Sequence, residues 1–510
     1  MNSLNIVFRV DVSNKIGLGY LSRCMSLADE LRKRGNDVAF VSRNNPGNCF
    51  ELLTERLFRL VILPASVDQA HSDLLGVSQA VDAQQTIAAL GGDVPNWLIV
   101  DHYGINNEWE VKLRPHCKNI LVIDDLVDRK HDCDLYLNQN YLGEITDELS
   151  MVLPLGCKTL LGPHYALIEE TFSKIRQVRQ GEARQPKRVL VFCGGSDPEN
   201  LTGLMIDALR SEVFSNLEVD VVVGLNNKFA GETNYNSLPA NFKKHSFTEN
   251  FSDLLKQADL ALGAGGVTTW ERMCVGVPSI VASIALNQER TCIELAKVGA
   301  ITYLGKSSEV KIDIIKKAVN MALNESETNS QQKDFGQVLV DGLGAMRVAE
   351  VLSPSSVDNL KIRKAISEDV LTYYVWASDE EVRKQSKNQN EIELSSHRRW
   401  FSEKLNSLNS QLFVLEASGL PVGQVRLDKV DNEVQIDYSL DLIVRSRGWA
   451  SVMLGKVLSL YRGKGELVYQ AIVKETNLNS LAVFEKLGFT KMKKKSNGGG
   501  WFTYCSCNGP

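Results

Sequence analysis

Four stretches of this chain place glycines, hydroxyls and charged side chains where a strand would hand over to a helix. They are Gly17 and Gly19 in FRVDVSNKIGLGYLSRC, Gly194, Gly195 and Ser196 in VLVFCGGSD, Gly265, Gly266, Thr268 and Thr269 in GAGGVTTWE, and Arg445, Arg447, Gly448 and Ala450 in VRSRGWA. A glycine without a side chain lets a ligand approach the backbone, and the first amides of a helix have no intrahelical partner, so such junctions suit anions and phosphates. One glycine turn alone says little. Four of them, each after an apolar strand-like run, point to phosphorylated ligands.

These junctions need elements to hold them. From residue 4 to about 350, short β-branched runs alternate with longer amphipathic stretches, the pattern of a parallel sheet covered by helices. Strands are expected at Asn5–Val10, Asp37–Ser42, Trp97–Val100, Asn119–Ile123, Arg188–Phe192, Val219–Val223, Leu260–Leu262 and Pro278–Ala282, with a helix at Tyr20–Arg34. The charged stretch Thr171–Lys187 precedes a second start, so two doubly wound lobes are expected, about 4–170 and 185–350, with a ligand cleft between their strand ends. Near SPSSVDNLKIRKA the character changes. A linker at 351–359 should lead into a separate mixed domain over 360–510, with antiparallel strands at Gln411–Glu416, Pro421–Leu427 and Val434–Leu440. The NGGG near the C-terminus reads as a turn.

Bulk properties narrow the function. A chain of 510 residues exceeds the size of one core. An apolar fraction of 44% with 23% charged residues is that of a globular protein, and a net charge of -5 gives no footprint for nucleic acid. The chain opens on a strand-like run with no basic and apolar leader, and no apolar stretch approaches the roughly 20 residues that span a bilayer, so a cytoplasmic protein away from membranes is expected. The ten cysteines form no CxxC pair, and are read as reduced thiols with no metal expected.

The segments VDHYGIN (100–106), IDDLVDRKHDCDLYLNQN (123–140), LLGPHYALI (160–168), VFCGGSDPENLT (191–202) and GAGGVTTWERMCVGVP (263–278), with Asn287 and Gln288, together resemble the hydrolases of pseudaminic acid synthesis. Those enzymes release UDP from UDP-2,4-diacetamido-2,4,6-trideoxy-β-L-altropyranose, on a two-lobed fold of the glycosyltransferase-B type, in a route that serves flagellin glycosylation. The resemblance covers about residues 5–350. It implies that the glycine turns and threonines of GAGGVTTWE take the diphosphate, that Glu271 accepts the ribose hydroxyls, and that Asp11, Arg23, Tyr103, Asn287 and Gln288 line the sugar pocket.

One position departs from the family. A histidine is expected after the first glycine loop, to deprotonate the attacking water, and this chain has Tyr20 there. A phenol with a pKa near 10 is a poorer base at neutral pH than an imidazole near 6.5. Three readings stand open: a nearby cation activates Tyr20, another group such as Asp11 or His102 supplies the base, or the module binds the nucleotide sugar without hydrolysing it efficiently.

From Ile362 onward, IRKAISEDV and SLDLIVRSRGWASVMLGKVLSLY resemble the opening strand and the acetyl-CoA motif of the GCN5-related N-acetyltransferases. The resemblance implies that Arg445, Arg447, Gly448 and Ala450 face the CoA pyrophosphate. In VKETNLNSLAVFEKLGFT, Asn477 and Asn479 are candidates for the cofactor arm. The stretch VWASDEEVRKQSKNQNEIELSSHRRWF resembles the acceptor region of the acetyltransferase of the same pathway, whose acceptor is the 4-amine of UDP-4-amino-4,6-dideoxy-N-acetyl-β-L-altrosamine. Glu416, Asp437 and His397 are candidate bases and Tyr469 a candidate acid. A bifunctional enzyme using acetyl-CoA as co-substrate and a UDP-linked amino sugar is therefore expected; alternatives are an active acetyltransferase with a non-hydrolytic binding module, a glycosyltransferase of the same fold, or a related nonulosonate route.

Overall fold

The structure is a computed structural model, and it describes residues 3–13, 16–66, 74–179, 185–231, 233–246, 250–461, 467–492 and 500–507. Asn14 and Lys15 of the first glycine loop, part of the Thr171–Lys187 stretch and Asn497, Gly498 and Gly499 of the expected C-terminal turn lie outside the described residues. The chain divides into two compact units, Met1–Ser353 and Pro354–Pro510.

The first unit holds two parallel sheets. In one, β1 (Asn5–Val10), β2 (Asp37–Arg43), β3 (Arg59–Leu63), β4 (Trp97–Asp101), β5 (Ile120–Ile123), β6 (Leu135–Asn138) and β7 (Lys158–Leu161) run in the order β3-β2-β1-β4-β5-β6-β7. In the other, β8 (Arg188–Phe192), β9 (Glu218–Val223), β10 (Phe242–Ser246), β11 (Leu260–Ala264), β12 (Ser279–Ser283) and β13 (Thr302–Lys306) run in the order β10-β9-β8-β11-β12-β13. Both sheets are doubly wound. The order reverses between β1 and β4 and between β8 and β11, and ligands of such sheets bind where the strands end at these reversals.

Central strands read as unbroken apolar runs because helices cover both faces, as in VLVF of β8 and LALGA of β11, all buried beyond Arg188. The edge strand β10, FKKHS, has no buried residue and carries no such signal. The polar stretch after Thr171 forms a helix, Glu170–Val178, whose Phe172 and Ile175 are buried in the second lobe's core. A final helix, Gly344–Leu352, returns to the first lobe. There Glu350 meets Arg34 at 2.6 Å and the carbonyl of Leu352 accepts from Trp97 Nε1 at 3.1 Å.

Beneath the first sheet's strand ends lie two groups of buried charges. Arg9 and Arg43 both grip Asp82, at 2.6 Å each, and Arg9 also meets Asp11, at 2.5 Å. Further along, His131 Nδ1 lies 2.7 Å from Glu110, while Arg129 meets Asp124 at 2.7 Å and Tyr136 donates to Asp124 at 3.0 Å. Burial alone would lower the His131 pKa, but the neighbouring carboxylates of Asp124, 3.9 Å from Nε2, and Glu110, bonded at Nδ1, outweigh that and hold it up to about 9. The imidazolium compensates buried carboxylates that would otherwise be costly.

The second unit is a mixed sheet flanked by helices. Its strands are β14 (Leu360–Lys364), β15 (Ser410–Ala417), β16 (Leu420–Val430), β17 (Glu433–Leu440), β18 (Val468–Lys474), β19 (Thr490–Met492) and β20 (Trp501–Cys507), in the order β14-β15-β16-β17-β18-β20-β19. All neighbours pair antiparallel except β17 and β18.

Because His131 has a folded pKa of about 9 against an unfolded value near 6.5, its contribution to stability is complete below about pH 6.5 and is lost as pH rises through about 9. The thermal unfolding midpoint of the first unit should fall over that interval, and His131→Gln should flatten the slope. A wild-type slope no steeper than that of the variant would contradict the assignment.

Candidate functional sites

The first lobe's reversal gathers a charged cluster. Arg23, on the helix Gly19–Lys33, is buried and donates to both oxygens of Asp101 at the end of β4, at 2.6 and 2.7 Å, and to both oxygens of Asp125 beyond β5, at 2.8 and 3.0 Å. Asp125 also accepts from Asn140 at 2.7 Å and from the Tyr103 hydroxyl at 2.5 Å. Tyr103 Oη in turn accepts from Asn287 Nδ2 of the second lobe at 2.9 Å. One chain of bonds thus runs from Arg23 to the opposite lobe.

Tyr20 packs edge-on against Tyr103, ring centroids 4.9 Å apart, with the Arg23 guanidinium 5.1 Å from its own ring centre. Burial pushes the Tyr20 phenol above the ordinary tyrosine range; Tyr103 acts in the opposite sense and the Asp125 charge adds to the rise. The Arg23 charge acts to lower it, while that guanidinium is itself held by the carboxylates of Asp101 and Asp125. Asp11 is fully buried between Arg9 and the backbone amide of Arg43, which it accepts at 2.7 Å. Burial would raise its pKa, but Arg9 holds it well below the usual carboxylate range. His102 accepts from the Gly104 amide at Nδ1, at 2.9 Å, which leaves the proton on Nε2, 3.4 Å from Asp11.

The second lobe faces this cluster with its glycine turns. Gly194 has φ 94°, and a side chain at Gly224 would strike the carbonyls of Gly194 and Gly195 at 2.3 Å, so the turn after β8 is tightly folded next to Ser196. A side chain at Gly265 would meet Cys292 Sγ at 2.3 Å. The helix Thr268–Val275 starts just beyond. Thr269 is buried with its hydroxyl accepting from Arg272 at 2.9 Å, whereas Gly266 and Thr268 are half-buried. Gln288 uses its Oε1 to accept from the Ile284 amide at 3.0 Å, fixing the turn before the helix Leu286–Lys297 that carries Asn287. Gly19 of the first lobe comes within 3.5 Å of Val267 when given a side chain, so the two loops adjoin; Gly17, at φ 77°, has open space around it.

Glu271, in the first turn of that helix, has a shielded Oε2 with no hydrogen-bond partner. Burial, with Glu169 nearby, pushes its pKa up to about 8. A shielded carboxyl oxygen without a partner can accept ligand hydroxyls.

In the second unit, β17 and β18 pair only from Glu433↔Val468 to Gln435↔Gln470, although both strands continue, so the sheet opens from Ile436 and Ala471 onward. The helix Trp449–Ser459 begins at Gly448, φ 76°, with Ala450 turned into the core. Arg445 is held by Asp379 at 2.8 Å and Arg447 lies 5.3 Å from the Trp449 ring centre. Asn477 caps the helix Leu478–Lys486 by accepting from the Ser480 amide at 3.1 Å, and Asn479 is exposed on its first turn. Tyr469 sits in the closed, paired end of the sheet, between Val434 and Ser506. Glu416 is bound by Arg363 at 2.6 Å. His397 is buried among Tyr374, Trp400 and Phe401, where burial lowers it to about 4. Asp437 lies in the open part of the sheet beside Gln424, at 3.3 Å.

Asp101, Asp125 and Asn140 were not singled out from sequence, though each stands at a strand end of the parallel sheet. Their position after β4, β5 and β6 was the available signal.

Residues 188–339 match the glycosyltransferase family 28 C-terminal domain and residues 359–490 the acetyltransferase (GNAT) domain. The uncharacterized protein MJ1062 of Methanocaldococcus jannaschii is 22% identical over 511 residues, covering 96% of this chain and 98% of its own. The UDP-2,4-diacetamido-2,4,6-trideoxy-beta-L-altropyranose hydrolase of Campylobacter jejuni is 27% identical over 314 residues, covering 58% of this chain and 97% of its own. Among solved structures, MurG of Acinetobacter baumannii superposes with a TM-score of 0.47 at 13% identity, over 68% of this chain and 99% of that one. The first unit is thus homologous to nucleotide-sugar-processing enzymes, and the second carries a GNAT domain.

Removing Arg23 would leave Asp101 and Asp125 buried without compensation. Arg23→Leu should destabilise the first unit by about 3–5 kcal/mol in urea unfolding. A loss below about 1 kcal/mol, the scale of an exposed ion pair, would show that the cluster carries no such strain.

Proposed function

We propose that the chain acts on a UDP-linked amino sugar at two sites: the GNAT domain acetylates the 4-amine of UDP-4-amino-4,6-dideoxy-N-acetyl-β-L-altrosamine with acetyl-CoA, and the first unit takes the resulting diacetamido nucleotide sugar. The steps are consecutive, since the product of one is the substrate of the other. Acetyl-CoA would lie in the opening between β17 and β18, its pyrophosphate against Gly448 and the helix start at Trp449 and its arm near Asn477. UDP would lie in the second lobe, its diphosphate on Gly265, Gly266 and Thr268, with Gly194, Gly195 and Ser196 adjoining, and its ribose on Glu271. The sugar would face Tyr103, Asn287 and Tyr20.

The observation that carries this reading is the unpartnered Glu271 Oε2 at a helix start of the second lobe, together with the Tyr103–Asn287 bond that joins the lobes. Asp11 and Arg23 serve here as positioning residues. Hydrolysis requires a proton acceptor for water, and the raised phenol of Tyr20 specifically favours a second reading, in which the first unit binds the nucleotide sugar and hydrolyses it slowly or not at all.

A time course of the purified chain with the 4-amino UDP-sugar and acetyl-CoA, following CoA thiol, acetylated nucleotide sugar and UDP separately, tests both. CoA and UDP appearing together is the outcome expected of a bifunctional enzyme. CoA with accumulating acetylated nucleotide sugar selects the second reading. Absence of CoA release, with acetyl-CoA bound, would refute the acetyl transfer.

A further inference from the structure

The first lobe holds a pair of thiols that the nucleotide-sugar reading does not use. Cys133 stands two residues before β6 and Cys157 one residue before β7, so both lie at the strand starts, the opposite end of the sheet from Asp101, Asp125 and Asn140. Their sulfurs are 3.6 Å apart, in contact and unbonded. Strands β6 and β7 run side by side from Leu135↔Lys158, and the Lys158 amide donates to the Asp134 carbonyl at 3.0 Å, which holds the two cysteines next to each other. Cys133 is buried, whereas Cys157 is partly exposed at the foot of a turn whose Leu155 and Gly156 are open to solvent.

The charges around this pair set it apart. Burial pushes the thiols of Cys24, Cys117, Cys193, Cys274 and Cys292 up. At Cys157 the hydrogen bond from Cys133 holds the thiol below its ordinary value; the charges of His131 and Arg114 act in the same sense, and burial and Asp134 oppose them. His131 keeps its charge up to about pH 9. The same bond, together with burial, pushes Cys133 up, so the shared proton stays on the inner sulfur. A partly exposed thiol beside cations is the kind that an oxidant meets first.

We propose that Cys133 and Cys157 form a reversible, peroxide-sensitive modification site, with Cys157 the attacking sulfur and Cys133 the resolving one, whose disulfide ties the edge strand β7 to β6. The Cys157 sulfur attacks one oxygen of hydrogen peroxide; the S–O bond forms, the O–O bond breaks, and the departing oxygen leaves as water with the proton that Cys157 gave up. The Cys133 sulfur then attacks the sulfenic sulfur of Cys157; the S–S bond forms, the S–O bond breaks, and the second oxygen leaves as water with the Cys133 proton. The sum is two thiols and one peroxide to one disulfide and two waters, a two-electron oxidation that a dithiol reverses. The sulfurs need to close from 3.6 Å to about 2.05 Å, a small movement for a residue at the foot of an exposed turn. The bridge joins residues 24 apart in sequence and encloses β6 and the helix Thr146–Val152, so it restrains the unfolded chain and holds β7 at the edge of its sheet.

The test treats the full chain, reduced and then freed of reductant, with equimolar hydrogen peroxide, alkylates the remaining thiols, maps the peptides by mass spectrometry and records thermal unfolding in parallel. The expected result is a Cys133–Cys157 peptide within one chain, an intact mass lower by two hydrogens, and an unfolding midpoint of the first unit higher by about 2 °C or more, all reversed by dithiothreitol. Cys157→Ser should abolish the bridge and the shift, and Cys133→Ser should leave at Cys157 a sulfenic acid that dimedone traps. A wild-type chain in which both cysteines are still alkylated after peroxide would overturn the assignment. So would sulfinic acid at Cys157 in place of the bridge, or a bridge between two chains. A bridge that forms within the chain and leaves the midpoint unchanged would show that it does not hold the edge strand.

Discussion

The first unit depends on the burial of one guanidinium. Arg23 lies beneath the strand ends with essentially no exposure, and two carboxylates from adjacent strands, Asp101 and Asp125, take its donors. A buried cation persists only if it is paired and hydrogen-bonded, so this geometry is over-determined. It fixes Asp125, which fixes the hydroxyl of Tyr103, which Asn287 reads from the other lobe. The same guanidinium lies 5.1 Å from the Tyr20 ring centre while its donors go to these carboxylates. The cluster ties the strand ends of the first lobe to Asn287 of the second.

The second unit is organised by an interruption of bonding. Strands β17 and β18 are its one parallel pair among the described residues, and they stay together over three residues before diverging. The divergence leaves backbone groups on both sides open to a ligand and sets Asp437 in the opened part of the strand. What the two units share is that each candidate site lies where a sheet ends or parts, next to a helix that begins on glycine or small polar residues.

Much of this was legible in the sequence where burial is uniform. The runs NIVFRV and RVLVF were expected as strands at Asn5–Val10 and Arg188–Phe192 and are found there, because a strand covered on both faces must be apolar throughout. Edge strands such as Phe242–Ser246 and short ones such as Lys158–Leu161 escaped, because an exposed strand needs no apolar pattern. The glycine turns were visible for a physical reason, since Gly265 has no room for a side chain. The partners of Arg23 were not visible. Asp101 and Asp125 lie 78 and 102 residues away along the chain, and only the strand order brings them together. Likewise only the register shows that Tyr469 stands in the closed end of its sheet.

The central claim, that the cleft between the two parallel sheets is a nucleotide-sugar pocket held ready by this charge cluster, is tested most directly by a crystal structure of the chain with UDP. The account predicts the diphosphate against Gly265, Gly266 and Thr268, the ribose hydroxyls on Glu271, and the Arg23 cluster unchanged. UDP bound away from Glu271, or a cleft that stays empty at saturating UDP, would contradict it.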